Sequence, residues 1–288
     1  MDPDVTDFTI PQPGSPAYTQ THTHTVIFLH GRGDTARNFA ASLNYSQDAQ
    51  GRSLFQAFPS LRWVFPEPAA AKPGERSCQW FDIWNVTDFA DREELQAPGL
   101  RASVTRILKV IEREAVALGG RWDRIVLAGI SQGAATSVHT LLNLSVPSYP
   151  LDPKGDAHPR HLAAFLSFSA RMPFPGRSLA NTRAVLQLDG EPVAHEDVLH
   201  KTPMLLEHCV DDPLVLVTNG RILRDTLTGF GADVTWREYP DGGHWFNSPT
   251  GMEEAAAFLE KVLGIQRAAA SASSAAVTQG SSDAMDID

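Results

Sequence analysis

The chain has 288 residues, enough for one large α/β domain or two small ones, and its 42% hydrophobic content suffices for a substantial core. A formal charge of −10 with no Lys/Arg-rich block argues against nucleic acid as a partner. The longest apolar runs are strand-sized, so no integral membrane segment is expected, and two cysteines, Cys78 and Cys209, cannot build a disulfide framework, which fits a reducing compartment.

The opening stretch MDPDVTDFTIPQPGSP is acidic and Pro-rich and lacks the basic and apolar regions of a signal peptide. It predicts a cytoplasmic location, with a nucleocytoplasmic one as the variant. Residues 1–22 are expected to be a flexible arm, 23–264 a single domain, and 265–288, Ala/Ser-rich with acidic residues at the end, a disordered tail. Within the domain, apolar strand candidates alternate with helical patterns: TVIFLHG, SLRWVFP, then an amphipathic helix with Leu100, Val104, Ile107, Leu108, Ile111 and Ala115 on one face. RIVLAGI follows, then a helix after Ser131, HLAAFLSFSA, PMLLEHC, a helix through Ile222, Leu223 and Leu227, ADVTWREYP, and a last helix with Ser248 as N-cap and Pro249 at its first position. Strands apolar on both faces, separated by helices, predict an α/β fold whose mostly parallel central sheet is covered by helices on both faces.

The segment RIVLAGISQGAATSVHTLL passes from strand to helix within about three residues, with Ser131 at the change. A serine on such a turn holds its hydroxyl above the carboxyl edge of the sheet, and Gly129 and Gly133 let neighbouring backbone approach without a Cβ clash. The pattern Gly129-Ile130-Ser131-Gln132-Gly133 therefore reads as a nucleophile elbow, the alternative being an ordinary tight strand–helix turn. A serine hydroxyl is a weak nucleophile at neutral pH, so it needs a base, and the base needs an acid to fix its tautomer. On such elbows the chain order is Ser, acid, His. His244, in PDGGHWF, follows the last strand and precedes the last helix, at the correct edge of the sheet. His22 and His24 read as the solvated side of the first strand, with no third ligand to make a metal site, and His158, His161, His195 and His200 as exposed. EHCVDDPLV offers Asp211 and Asp212, with Pro213 fixing the direction of Asp212. The residue pattern leaves the two open, and Asp241 reads as a turn former before Gly242. Oxyanion donors are expected from the backbone N–H of Gln132 and, in the HGRGDT loop, of Arg32.

VIFLHGRGDTARNFA, WFDIWN, LAGISQGAATS, CVDDPLV and DGGHWF, in that order, resemble the acyl-protein thioesterase and carboxylesterase branch of the α/β-hydrolases in its fungal form, from about Thr23 to Leu263. The resemblance implies Ser131 as nucleophile, His244 as base and Asp212 as acid, because the family aspartate directly precedes Pro-Leu-Val. It implies oxyanion N–H groups from Arg32 and Gln132, and an acyl site bordered by Trp80, Phe81 and Asp82. This chain departs from it in having Arg32 where the family has leucine, and Arg171-Met172-Pro173 where it has Trp-Leu-Pro, so two arginines are expected to rim the acyl pocket. Cys209 replaces a glycine, and an insertion over about 176–201 is expected to form an extra lid. The expected activity is cofactor-free and metal-free hydrolysis of carboxylic esters or thioesters through an acyl-enzyme, acting on acylated proteins with transient contact with membranes. The alternatives are a small-molecule carboxylesterase taking a polar or anionic ester, or a non-catalytic binding module.

Overall fold

The computed structural model describes residues 7–11, 22–68, 78–147, 158–189 and 196–269. Seven strands form one sheet in the order β1-β3-β2-β4-β5-β6-β7. They are β1 (Phe8–Ile10), β2 (His24–Leu29), β3 (Leu61–Phe65), β4 (Ile125–Ile130), β5 (Ala164–Phe168), β6 (Met204–Cys209) and β7 (Val234–Tyr239). All neighbours are parallel except β1, which pairs antiparallel with β3. The helices are α1 (Ala36–Leu43), α2 (Leu54–Ala57), α3 (Gln96–Ala117), α4 (Gln132–Asn143), α5 (Leu179–Ala184), α6 (Asp197–Lys201), α7 (Val217–Gly229) and α8 (Thr250–Leu263).

The alternation of strand side chains divides the core in two. Ile27, Leu29, Ile125 and Leu127 pack with Leu100, Val104 and Ile107 of α3, Val138 of α4 and Leu223 of α7. The intervening Val26, Phe28, Val126 and Ala128 pack with Phe39 of α1 and Met252, Ala255 and Leu259 of α8. Strands apolar at every position are thus satisfied on both faces, as parallel strands between helix layers must be. This arrangement brings the carboxyl ends of β2, β4, β5, β6 and β7 to one edge.

Four expectations change. Asp7–Pro11, placed in a flexible arm, is anchored to the domain: Phe8, Thr9 and Ile10 pair with Phe65, Val64 and Trp63, and Asp7 accepts from Arg106 and Arg113, each at 2.8 Å. Residues 1–6 and 12–21 of the arm lie outside the described residues. At the other end, the chain stays packed to residue 268, because Arg267 pairs with Glu253 and Glu260 and the Ala268 N–H donates to Ala57 O at 2.8 Å. The remaining tail, 270–288, lies outside the described residues. The described part of the 176–201 insertion is a flank of the core and not a lid: Leu186, Val198 and Leu199 are buried in the α3/α4 cluster, and Arg183 binds Leu142 O at 2.6 Å and Glu196 at 2.8 Å.

Helix α8 begins one residue later than expected, at Thr250, with Pro249 in the capping position. Ser248 turns its hydroxyl to Gln47 O at 2.7 Å, and Asn247 Oδ1 accepts the Gly251 N–H at 2.9 Å in its place. Among the described residues no helix is long and apolar enough to cross a membrane.

Candidate active site

The turn between β4 and α4 is as sharp as the glycine spacing requires. Ser131 has φ 56°, a left-handed value that costs a side-chain-bearing residue energy and is held here by its surroundings. Its N–H donates to Phe168 O at 2.9 Å, and its carbonyl starts the helix by accepting the Ala135 N–H at 3.0 Å. A Cβ at Gly129 would fall 2.6 Å from Ala134 N; one at Gly133 would fall 2.5 Å from Leu29 O and collide with His30 O. The second glycine thus lets the start of α4 press against the end of β2, where the HGRGDT loop begins.

Ser131 Oγ lies 2.8 Å from His244 Nε2, and His244 Nδ1 lies 2.8 Å from Asp212 Oδ2. Because a carboxylate only accepts, Nδ1 carries the proton and Nε2 faces the serine as acceptor. The histidine is positioned by the two residues after it. Phe246 is buried with its ring 4.7 Å from Phe168 and 6.0 Å from Phe28, and Trp245 Nε1 donates to Ser46 Oγ at 3.0 Å.

Of the two aspartates, it is Asp212 that meets His244. Asp212 is buried; Oδ1 accepts the N–H groups of Leu214 and Val215, each at 2.9 Å, while Oδ2 faces His244 and, at 3.4 Å, His208 Nε2. Burial alone would raise its pKa, but the hydrogen bonds of His208, His244 and Val215 outweigh it and hold the carboxyl well below the usual carboxylate range. Asp211 Oδ1 accepts the Gly243 N–H at 2.8 Å and so ties down the loop that carries His244. Asp241 accepts from Asn247 Nδ2 through both its carbonyl and Oδ1, a turn-forming role.

Gln132 and Arg32 flank the serine on two elements. The Gln132 side chain is buried, with Oε1 accepting the Trp80 N–H at 2.9 Å and Nε2 donating to Phe81 O at 2.7 Å. Trp80 Nε1 donates to His30 O at 2.9 Å, so Trp80 and Gln132 together fix the loop on which Arg32 stands. The Arg32 side chain is exposed and its Nε donates to Gln79 Oε1 at 3.0 Å. Arg171, expected at the rim beside it, is instead buried, over the rings of Phe89 and Phe81. Met172, at the position expected to border the acyl group, is buried in the α3/α4 core. Cys209 is buried behind the base loop, its Sγ 3.8 Å from Trp245 O, and burial followed by the charge of Asp211 pushes its thiol up to about 12.

Among the described residues the other histidines do not meet the serine. His22 and His24, expected on a solvated face, are half-buried, and desolvation lowers His24 to about 4. His158 and His161 are half-buried and His200 exposed, while His195 lies outside the described residues. Among the described residues no group of three or more His, Cys, Asp or Glu is placed to hold a metal ion. The supporting roles of Gln132, His208, Trp245 and Phe246 were not assigned from sequence. Only the adjacency of Trp245 and Phe246 to His244 signalled any of them.

A relative from the fungus Gibberella zeae, acyl-protein thioesterase 1, is 30% identical over 255 residues, covering 86% of this chain and 94% of its own. The chain belongs to the phospholipase/carboxylesterase family, in its acyl-protein thioesterase branch. As a member it is a serine esterase or thioesterase. The family's own sequence model matches residues 16–149, and acyl-protein thioesterase 1 of Mycosarcoma maydis is 29% identical over 85% of this chain and 93% of its own. Among solved structures, Zea mays acyl-protein thioesterase 2 superposes with a TM-score of 0.64 at 23% identity, over 90% of this chain and 99% of that one. A Bacillus cereus carboxylesterase superposes at 0.57 and 14% identity, over 91% and 96%. At those identities the likeness shared with the two structures is one of fold.

Proposed function

We propose that the esterase or thioesterase reaction runs through Ser131 as nucleophile, His244 as general base and Asp212 as the acid that orients it. The observation that carries this reading is the continuous relay from Ser131 Oγ to His244 Nε2 and from His244 Nδ1 to Asp212 Oδ2, each 2.8 Å, on a strained elbow. Ser131 Oγ attacks the acyl carbonyl as its proton passes to His244 Nε2. The negative charge that develops on the carbonyl oxygen is met by the backbone N–H groups of Gln132 and Arg32. When the tetrahedral intermediate collapses, the carbon–sulfur or carbon–oxygen bond breaks and His244 returns the proton to the departing thiol or alcohol. Water, deprotonated by His244, then cleaves the acyl-serine and restores the hydroxyl. Asp212, kept ionised, stabilises the imidazolium in both halves, and no cofactor enters the scheme.

The names of the fungal relatives support an acylated protein as substrate, and with that substrate we propose transient contact with membranes and a cytoplasmic, in part nuclear, location. The buried Arg171 supports the second reading, a small ester with a polar or anionic acyl group. A non-catalytic binding module would have no use for the hydrogen-bonded serine and histidine.

The test is labelling with a fluorophosphonate, which requires an activated serine, alongside Ser131→Ala. The wild type should be labelled. The variant should not be, should melt normally, and should lose on the order of 10⁶ in kcat. Esterase turnover near the wild-type level in Ser131→Ala would refute the assignment.

A further inference from the structure

Arg171 is a buried charge with little to balance it. It is 5% exposed, and among the described residues its one hydrogen bond runs from Nη2 to Gln96 Oε1 at 2.6 Å. The carboxylate beside it, Glu93, is 3.8 Å from Nη1, and the same oxygen already accepts the Phe174 N–H at 2.7 Å. Its remaining cover is aromatic: the guanidinium carbon is 4.3 Å from the centre of the Phe89 ring and 5.8 Å from that of Phe81. A guanidinium has five N–H donors in a planar fork suited to a carboxylate. Most of those donors have no acceptor among the described residues, in a place where an incompletely paired charge is costly. Burial draws Arg171 down to about 10, and Glu93 offsets that only in part.

The surroundings of this charge are tied to the nucleophile. Phe168, three residues before Arg171, accepts the Ser131 N–H at 2.9 Å. Phe81, over whose ring the guanidinium lies, accepts from the side chain of Gln132 at 2.7 Å. The cation is therefore built into the two segments that flank Ser131 and Gln132, and its vacant donors are of the kind that a second carboxylate on the acyl group would fill.

We propose that Arg171 is a substrate-recognition residue that binds a carboxylate at the far end of the acyl group, making the substrates half-esters or half-thioesters of short dicarboxylic acids. The inference rests on Ser131 being the nucleophile. The phenyl rings of Phe81 and Phe89 flank the intervening methylenes, and the carboxylate completes the charge balance that Glu93 leaves unfinished. A long alkyl chain in the same place would lie against a cation that Glu93 balances only in part. The competing account makes Arg171 only a tether between the segments carrying Phe89 and Phe174.

The experiment measures kcat/KM for succinyl, glutaryl and adipyl monoesters of one chromogenic phenol against the butyryl, pentanoyl and hexanoyl esters of equal length. The wild type should favour at least one carboxylate ester over its neutral partner by about tenfold or more. Arg171→Met should lose on the order of tenfold to hundredfold on that ester while holding or gaining on the neutral one, with Arg171→Lys between the two. A wild type that prefers every neutral ester overturns the proposal, as does an Arg171→Met variant that loses both series in equal proportion. If Arg171→Met does not fold, the wild-type ratio and inhibition by free glutarate against free pentanoate decide. Failure of the underlying reading is seen separately, as absent fluorophosphonate labelling of Ser131 and no turnover of either series.

Discussion

His208 and Asp212, four residues apart across the end of β6, face each other at 3.4 Å from Nε2 to Oδ2, the same oxygen that accepts from His244. His208 Nε2 is also 2.7 Å from Val215 O, and a carbonyl only accepts, so this nitrogen carries the proton and forks between carbonyl and carboxylate. Losing it should leave the Asp212 charge less compensated and make the His244 imidazolium easier to form. In His208→Leu the acid limb of kcat/KM should therefore move to higher pH, with kcat down roughly tenfold, the scale of one hydrogen bond to a charged group. His208→Gln, which can return an N–H to that place, should restore both. A loss of activity with an unmoved pH limb would make His208 a packing residue only.

The two aspartates of the acid loop should separate cleanly. Asp212→Asn presents an amide to His244 Nδ1 and favours the wrong tautomer, for which a loss of about 10⁴ in kcat is expected. Asp211→Asn disturbs only the contact with the Gly243 N–H and should cost under about tenfold. Steady-state kinetics of both variants against one ester checks this; the reverse order of losses would move the acid to Asp211.

Gly133 and Gly31 differ in what a methyl group would meet. At 133 it would strike the carbonyls of Leu29 and His30, backbone that cannot yield, whereas at 31 it would lie 3.6 Å from Ser131 Cβ, an ordinary contact. Gly133→Ala should destabilise by roughly 1–3 kcal/mol or more, as overpacking does. Activity should fall further than stability, since α4 must back away from the loop bearing Arg32. Gly31→Ala should melt close to the wild type. Equal melting temperatures for the two variants would show that the elbow is not closely packed.

The alternating sheet, its edge, and the placing of Ser131 and His244 at that edge were legible in the sequence, because each depends on local signals: apolar strands, a glycine-flanked turn, a glycine pair before His244. The choice of Asp212 over Asp211 came from the family resemblance, since both stand on the same loop and only the direction of the side chain distinguishes them. What escaped the sequence is non-local. Three residues, Phe8–Ile10, become a strand because β3 offers an open edge and Asp7 finds two arginines, Arg106 and Arg113, distant along the chain. Arg171 is expected at the rim because it stands where the resembled family has Trp-Leu-Pro, whereas the folded chain buries it with the rings of Phe89 and Phe81 over its guanidinium.

Glu207, two residues before Cys209 on β6, gives a prediction about stability with its sign fixed by burial. Neither carboxyl oxygen has a hydrogen-bond partner among the described residues, and Tyr239 and Gly251 pack against it. Burial first, then the negative charge of Glu254, raises its pKa well above the usual value, with the neighbouring Tyr239 hydroxyl and then Arg237 opposing. The carboxyl is therefore held neutral in the folded chain over a range where the unfolded chain releases the proton. A raised folded-state pKa means that stability is full below the unfolded value of about 4.3 and declines as pH rises towards the folded value. The decline is at most about 1.4 kcal/mol per pH unit. Glu207→Gln removes the titration and leaves the shape, so its melting temperature should gain on the wild type progressively between about pH 4.5 and 7. Thermal melts of both proteins across that range check the difference, and parallel curves would mean that Glu207 is ionised in the folded protein.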